Sequence, residues 1–333
     1  MATTSPWLAA ARQRLWARDS FSFIPDRRFD EPPTTITPGD GPRVAFCGFP
    51  SDYSLAFLFA LLDLDVCPAA ILTSPGAHPA IVGTNAMSQV ADHIGLPLLR
   101  PWRINDEHAR LDLARLDLDA VVMASFDQIV GARALAIPRH GWLNVHPSPL
   151  PHYRGPEPIY WTIADGATEA GITLHRAVPR FDAGPIFAQA TLTPSPEDTA
   201  GTLTRRLCAA GVDLLGDALA ALLADAPGVE PDLSQASYRP SVGHRRLETA
   251  DGAVAAERMV RAGVPNMPAW TELDGRAVYV VRARVAADCS GDGSIGCLRF
   301  SDGCLVIEEA MEACGCHHDQ PDCPHRDLVE PVA

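Results

Sequence analysis

The chain is expected to be an α/β protein, with a Rossmann-like parallel sheet domain followed by a small, OB-like β-barrel domain. Two observations predict this. From Arg43 onward, apolar runs of strand length alternate with helical patterns, and the strands are apolar on both faces, as in a parallel sheet covered by helices. Further on, after a proline-rich polar stretch, the pattern changes to short strands divided by glycine and aspartate turns, as in a small barrel or sandwich.

The elements follow in order. Residues 25 to 42 are rich in proline and turn formers, so the first regular element is expected at Arg43 and what precedes it reads as an extension, residues 1–42. VAFCGF (44–49), AAILTS (69–74), AVVMAS (120–125) and WLNVH (142–146) read as strands, with helices near Ser54–Leu62, Asn85–His93 and Glu107–Leu116 between them. Residues 199–223 carry Leu203, Leu207, Ala210, Leu214, Leu215, Ala218 and Leu222 on one helical stripe, which closes a first domain at 43–225. Residues 226–247 read as a linker, and a second domain at 248–310 opens with a helix near Val254–Ala262. A Cys/His-rich tail, 311–333, ends the chain.

Composition bounds the function. With 41 acidic against 27 basic residues the formal charge is -14, which disfavours a broad nucleic-acid footprint. No apolar run reaches 18 residues and no secretory signal opens the chain, so a cytoplasmic protein with no membrane partner is expected. Nine cysteines in that setting argue against a disulfide framework.

The segment NVHPSPLPHYRGPEPIYWTIADG (144–166) carries the most chemistry. Asn144 and His146 are two apart on a strand, so both side chains leave the same face at its carboxyl end, where ligands of open α/β sheets bind. An amide can donate to a developing oxyanion, and an imidazole can take a proton from an attacking amine. FDAGPIFAQ (181–189) adds Asp182 on a glycine-containing loop, a carboxylate able to favour the imidazolium. Taken singly, each has a structural reading, and an Asp so close to a Gly commonly makes a turn.

NVHPSPLPHYRGPEPIYWTI with GITLHRAVPRFDAGPIFAQ resembles the signature of the formyltransferases that use 10-formyltetrahydrofolate as donor. The resemblance implies that Asn144, His146 and Asp182 are the catalytic trio. It further implies that the segment Met123, Ala124, Ser125, Phe126, Asp127, Gln128 and Ile129 lines the folate pocket through its backbone, and that the loop from Ser148 through Leu150 and Arg154 to Gly155 borders it. In layout the chain is most similar to the methionyl-tRNA branch: PDLSQASYRP (231–240) resembles that branch's linker, and VRAGVPNMPAWTELDGRAVYV (260–280) the start of its barrel.

Two departures bear on the acceptor. Where that branch carries a basic loop, SPGAHPAIVGTN (74–85) has no lysine or arginine, so a small-molecule amine acceptor is expected and tRNA is disfavoured. In GFPSDYS (48–54), Ser51, Asp52 and Ser54 are candidate ligands for that amine, and a helix N-cap at Ser54 or Asp52 is the other reading. Formyl transfer to water, and a non-catalytic folate or metal sensor, stand as alternatives. In the tail, Cys314, Cys316, His317, His318, Cys323 and His325 suffice for one zinc site; free thiols or copper handling are the other readings.

Overall fold

The computed structural model describes residues 6–22, 39–75, 86–289 and 294–312, which form two compact units. The first comprises residues up to Arg154, Gly171–Leu192 and Thr204–Tyr238; the second comprises Gly155–Ala170, Thr193–Leu203 and the chain from Arg239.

The first unit is built on a seven-stranded sheet in the order β3-β2-β1-β4-β5-β6-β7. The strands are β1 (Arg43–Gly48), β2 (Cys67–Leu72), β3 (Leu98–Leu99), β4 (Ala120–Ala124), β5 (Trp142–His146), β6 (Ala170–Arg176) and β7 (Ile186–Leu192). β3 through β5 run parallel, and β6 runs antiparallel to β5. The order reverses between β1 and β4, which is where ligands of such sheets gather. Val44, Ala45, Phe46, Val121 and Val122 are fully buried, as expected for strands covered on both faces.

The helices of this unit are α1 (Pro6–Trp16), α2 (Asp52–Leu61), α3 (Ala86–Ile94), α4 (Glu107–Arg115) and α5 (Ala132–Leu135), with α7 (Ala200–Leu223) late in the chain. On α7 the buried positions include Leu203, Leu207, Cys208, Gly211, Leu215, Ala218, Leu219 and Leu222, while Ala210 and Leu214 are half-buried at the stripe's margin. Gly211 is where Ile172 and Phe57 press against the helix; a Cβ there would meet both.

The N-terminal segment corrects the expectation that regular structure begins at Arg43. α1 buries Trp7, Leu8, Ala11 and Leu15 and packs on α2, and Phe21 is buried beyond it. The Trp7 ring stacks on His93 with centroids 4.2 Å apart. Positions 7, 8, 11 and 15 have helical spacing, a signal that the arginines between them mask.

In the second unit, α6 (Pro158–Ala164) and α8 (Ala253–Gly263) pack together beside an antiparallel half-barrel of order β10-β11-β9-β8. Its strands are β8 (Trp270–Leu273), β9 (Arg276–Ala286), β10 (Gly296–Phe300) and β11 (Gly303–Glu312). Leu247, Ala256, Val260, Val280, Leu305 and Ile307 form its core. Cys289 and Cys297 form a disulfide, contrary to the expectation of free thiols. Strand register brings them together, a proximity that cysteine counting does not carry. Among the described residues, no helix is long and apolar enough to cross a membrane. The tail residues Cys314, Cys316, His317, His318, Cys323 and His325, and most of the loop 74–85, lie outside the described residues.

Candidate active site

Register places the site. Cys47 of β1, Met123 of β4, Asn144 of β5 and His175 of β6 are successive partners in one row across the sheet. Trp142, Asn144 and His146 share one face of β5. Trp142 is in the apolar core with Val121 and Ala45, so the same face passes from core to polar site along one strand.

Asp182 stands beside all three polar groups. Its Oδ1 accepts from Asn144 Nδ2 at 3.3 Å and lies 3.7 Å from His146 Nδ1 and 3.8 Å from His175 Nε2. His146 Nε2 is 3.0 Å from the Tyr153 carbonyl, so Nε2 carries the proton and, in the neutral ring, Nδ1 holds the lone pair facing Asp182. Nδ1 is therefore the ring atom that faces the carboxylate, and His146, His175 and Asp182 are all buried.

The loop bearing Asp182 is held by its backbone. Asp182 has φ 45°, the left-handed region that costs a non-glycine residue on the order of 1 kcal/mol or more. Gly184 makes this possible, because a Cβ there would collide with the Arg176 carbonyl. Arg154 is buried and donates from Nε at 2.8 Å, and from Nη2, to the carbonyl of Phe181, next to Asp182. Ser125 (φ 59°) and Tyr153 (φ 53°) are also left-handed, one following β4 and the other supplying the carbonyl under His146.

The loop from Ser148 is pinned in turn. Ser148 Oγ donates to His152 O at 2.7 Å, and Thr173 Oγ1 donates to Ser148 O at 2.7 Å. Gln189 Nε2 donates to Leu150 O at 3.0 Å. Ser148, Leu150 and Arg154 are therefore buried parts of the loop's support, and Gly155 is buried with φ 116°. On the other loop, Gln128 bridges to residues 101–104, donating to Pro101 O and accepting from Ile104 N. Ala124 O accepts from Ser54 Oγ and Ser125 O from Phe49 N, Met123 and Phe126 are half-buried, and Asp127 and Ile129 are exposed.

Ser51, Asp52 and Ser54 have no exposed surface. Ser51 is the N-cap of α2, its Oγ accepting from Ser54 N at 3.1 Å; Asp52 accepts from Ser22 N at 2.9 Å. The helix is therefore capped one residue before Asp52, the earlier of the two expected cap positions, and all three side chains are buried.

His175 is the residue that motif reading missed. Its Nε2 lies 3.0 Å from Asn144 Nδ2 and its Nδ1 3.0 Å from Arg176 O. Burial lowers its pKa to about 4, outweighing the opposing pull of Asp182, so the ring is neutral, donating from Nδ1 and accepting at Nε2. The available signal was the two-residue spacing of Thr173 and His175 on β6, opposite His146 and Asn144.

An amide, two imidazoles and a carboxylate gathered at interior strands of a mostly parallel sheet are the groups that a group-transfer enzyme of the α/β class requires. The Formyl transferase family pattern matches residues 69–219. The methionyl-tRNA formyltransferase of Acidothermus cellulolyticus is 35% identical over 250 residues, covering 73% of this chain and 77% of that one. That of Roseiflexus castenholzii is 33% identical over 287 residues, covering 81% and 91%. The chain belongs to the formyl transferase family and is a formyl-transferring enzyme.

Solved structures share the fold. A sugar N-formyltransferase from Shewanella sp. superposes with a TM-score of 0.56 at 20% identity, covering 72% of this chain and 96% of that one. HypX from Aquifex aeolicus in complex with tetrahydrofolic acid gives 0.55 at 16% identity, covering 82% of this chain but 44% of that longer one.

Proposed function

We propose that the enzyme moves the formyl group of 10-formyltetrahydrofolate to a primary amine of a small molecule, with Asn144, His146 and Asp182 as its catalytic residues. The observation that carries this reading is the convergence of Asn144 and His146 on Asp182 Oδ1 at the carboxyl end of β5. When bound, the donor supplies an activated formyl carbon. His146 takes the amine's proton at Nδ1, Asp182 holds the resulting charge, and the proton passes on to the donor's leaving nitrogen as its bond to the formyl carbon breaks. Asn144 gives up its longer bond, the 3.3 Å one to Asp182, and turns that N–H to the developing oxyanion while His175 keeps the other.

Ile129, after β4, is 65% exposed and Phe181, before Asp182, is 39% exposed, and each could offer apolar contact to the donor's flat ring. Segment Met123–Ile129 and the loop Ser148–Gly155 would hold the donor mainly by backbone, since the side chains of Ser148, Arg154 and Gln128 are committed to holding loops.

The small-molecule acceptor is supported by the charge of -14 and by the absence of lysine and arginine from 74–85. A second reading, methionyl-tRNA, is favoured by the names of the relatives, whose likeness extends over 77% and 91% of their lengths. Labelled-formyl transfer to an amine panel and to charged methionyl-tRNA separates them. Efficient transfer to the tRNA alone overturns the small-molecule reading, and formate release without an acceptor overturns both. Zinc at the Cys/His tail is proposed on its residue types alone.

A further inference from the structure

Three cysteines meet at one end of the half-barrel, far from the formyl chemistry in sequence. Cys297 lies on β10 and Cys304 on β11, where Cys304 pairs with Arg299 and Cys297 with Val306, so the two thiols are diagonal neighbours on one face. Cys304 also pairs with Ala286, the last residue of β9, and Cys289 follows three residues later. Two paired strands and the turn after β9 thus deliver one sulfur each, and all three Sγ atoms lie within 4.8 Å of one another.

We propose that Cys289, Cys297 and Cys304 form a redox-gated zinc site, with Zn²⁺ bound by the reduced trio and released when Cys289 and Cys297 join. A structural disulfide needs two cysteines; the third, buried against the pair, is what points to a metal. Tetrahedral zinc with bonds of about 2.3 Å sets sulfurs about 3.8 Å apart, inside the spacing of the three Sγ atoms. The Cα atoms of Cys289 and Cys297 are 5.7 Å apart, a separation that side-chain rotation alone converts from disulfide to paired ligands. Cys304 is buried and Cys289 and Cys297 are half-buried.

The gating step balances with a peroxide as oxidant. Two metal-bound thiolates give one disulfide and two electrons; hydrogen peroxide takes these with two protons and becomes two waters, and Zn²⁺ leaves. A thiol reductant reverses it. In a reducing compartment the site would hold metal, and under oxidation it would be the disulfide seen here.

Cobalt(II) is the probe, titrated into the reduced full-length chain carrying Cys314→Ser, Cys316→Ser and Cys323→Ser, so that the tail thiols do not contribute. One equivalent should bind with thiolate-to-cobalt absorption in the near ultraviolet and be displaced by zinc. Cys304→Ser in that background should weaken binding by more than the about 10- to 100-fold typical of changes outside the ligand shell. Cys289→Ser, at a half-buried position, should do the same with an unchanged circular dichroism spectrum. Peroxide should release the metal and leave a Cys289–Cys297 disulfide by peptide mass spectrometry. Absence of thiolate absorption at micromolar cobalt, or bands that persist in both variants, overturns the proposal.

Discussion

Asn144 donates through Nδ2 to Nε2 of His175 at 3.0 Å, and that bond decides which way the amide faces. The Arg176 carbonyl claims the Nδ1 proton of His175, so Nε2 is an acceptor, and the opposite amide orientation would set two acceptors against each other and Asn144 Oδ1 against Asp182. His175→Ala should remove this orientation and leave a buried donor without its acceptor, a loss of about 1–3 kcal/mol, and lower kcat roughly 5- to 100-fold. The KM for donor should hold, and His175→Gln, which keeps an acceptor, should recover part of the loss. An unchanged kcat in the alanine variant would remove His175 from the mechanism.

The same histidine should shape acid stability. Its folded pKa, about 4, lies below the unfolded value near 6.5, so the unfolded chain binds the extra proton between them. The stability linked to this neutral ring is complete above about pH 6.5 and is lost as pH falls toward 4, on the order of 3 kcal/mol in all. Urea unfolding at pH 7 and pH 4.5 should therefore differ less for His175→Gln than for the parent chain. Equal differences in the two proteins would show that the ring is not a buried neutral one.

His146→Ala and Asp182→Ala should each lower turnover by orders of magnitude while far-ultraviolet circular dichroism stays the same. Because proton acceptance at His146 Nδ1 and charge stabilisation by Asp182 belong to one step, the double variant should be scarcely worse than either single one. Near-normal turnover in either single variant refutes the assignment.

Gly184→Ala should disturb the site without touching a polar group. The new methyl must displace the Arg176 carbonyl or the Asp182 loop, and Asp182 already sits at φ 45°. We expect reduced kcat and a lower Tm together. A variant with parental values of both would show that the loop has room to spare.

Trp7→Ala tests the N-terminal helix. Trp7 is buried against Phe59 and His93, and its truncation should cost about 3–5 kcal/mol. The urea midpoint should fall by a matching amount while kcat at 25 °C persists. A midpoint shift below about 0.5 kcal/mol equivalent would mean that the helix does not dock as described.

The sequence by itself determined the alternation of strand and helix, because a strand covered on both faces must be apolar throughout and a helix covered on one face must repeat its apolar positions. It also determined that Asn144 and His146 share a strand face, since the two-residue period of a strand leaves no alternative. Asp182 was legible through the company it keeps in a long motif, although its spacing alone describes a turn. The tertiary structure alone decided the rest, because register between strands is set by packing and leaves no mark at either position in isolation. Antiparallel β6 brought His175 to Asn144, two strands of the half-barrel and the turn after β9 brought Cys289, Cys297 and Cys304 together, and α1 found α2 across a gap in sequence that no local pattern spans. Ser51, Asp52 and Ser54 show the converse: their polar side chains suited either a ligand or a helix cap, and only burial distinguished the two.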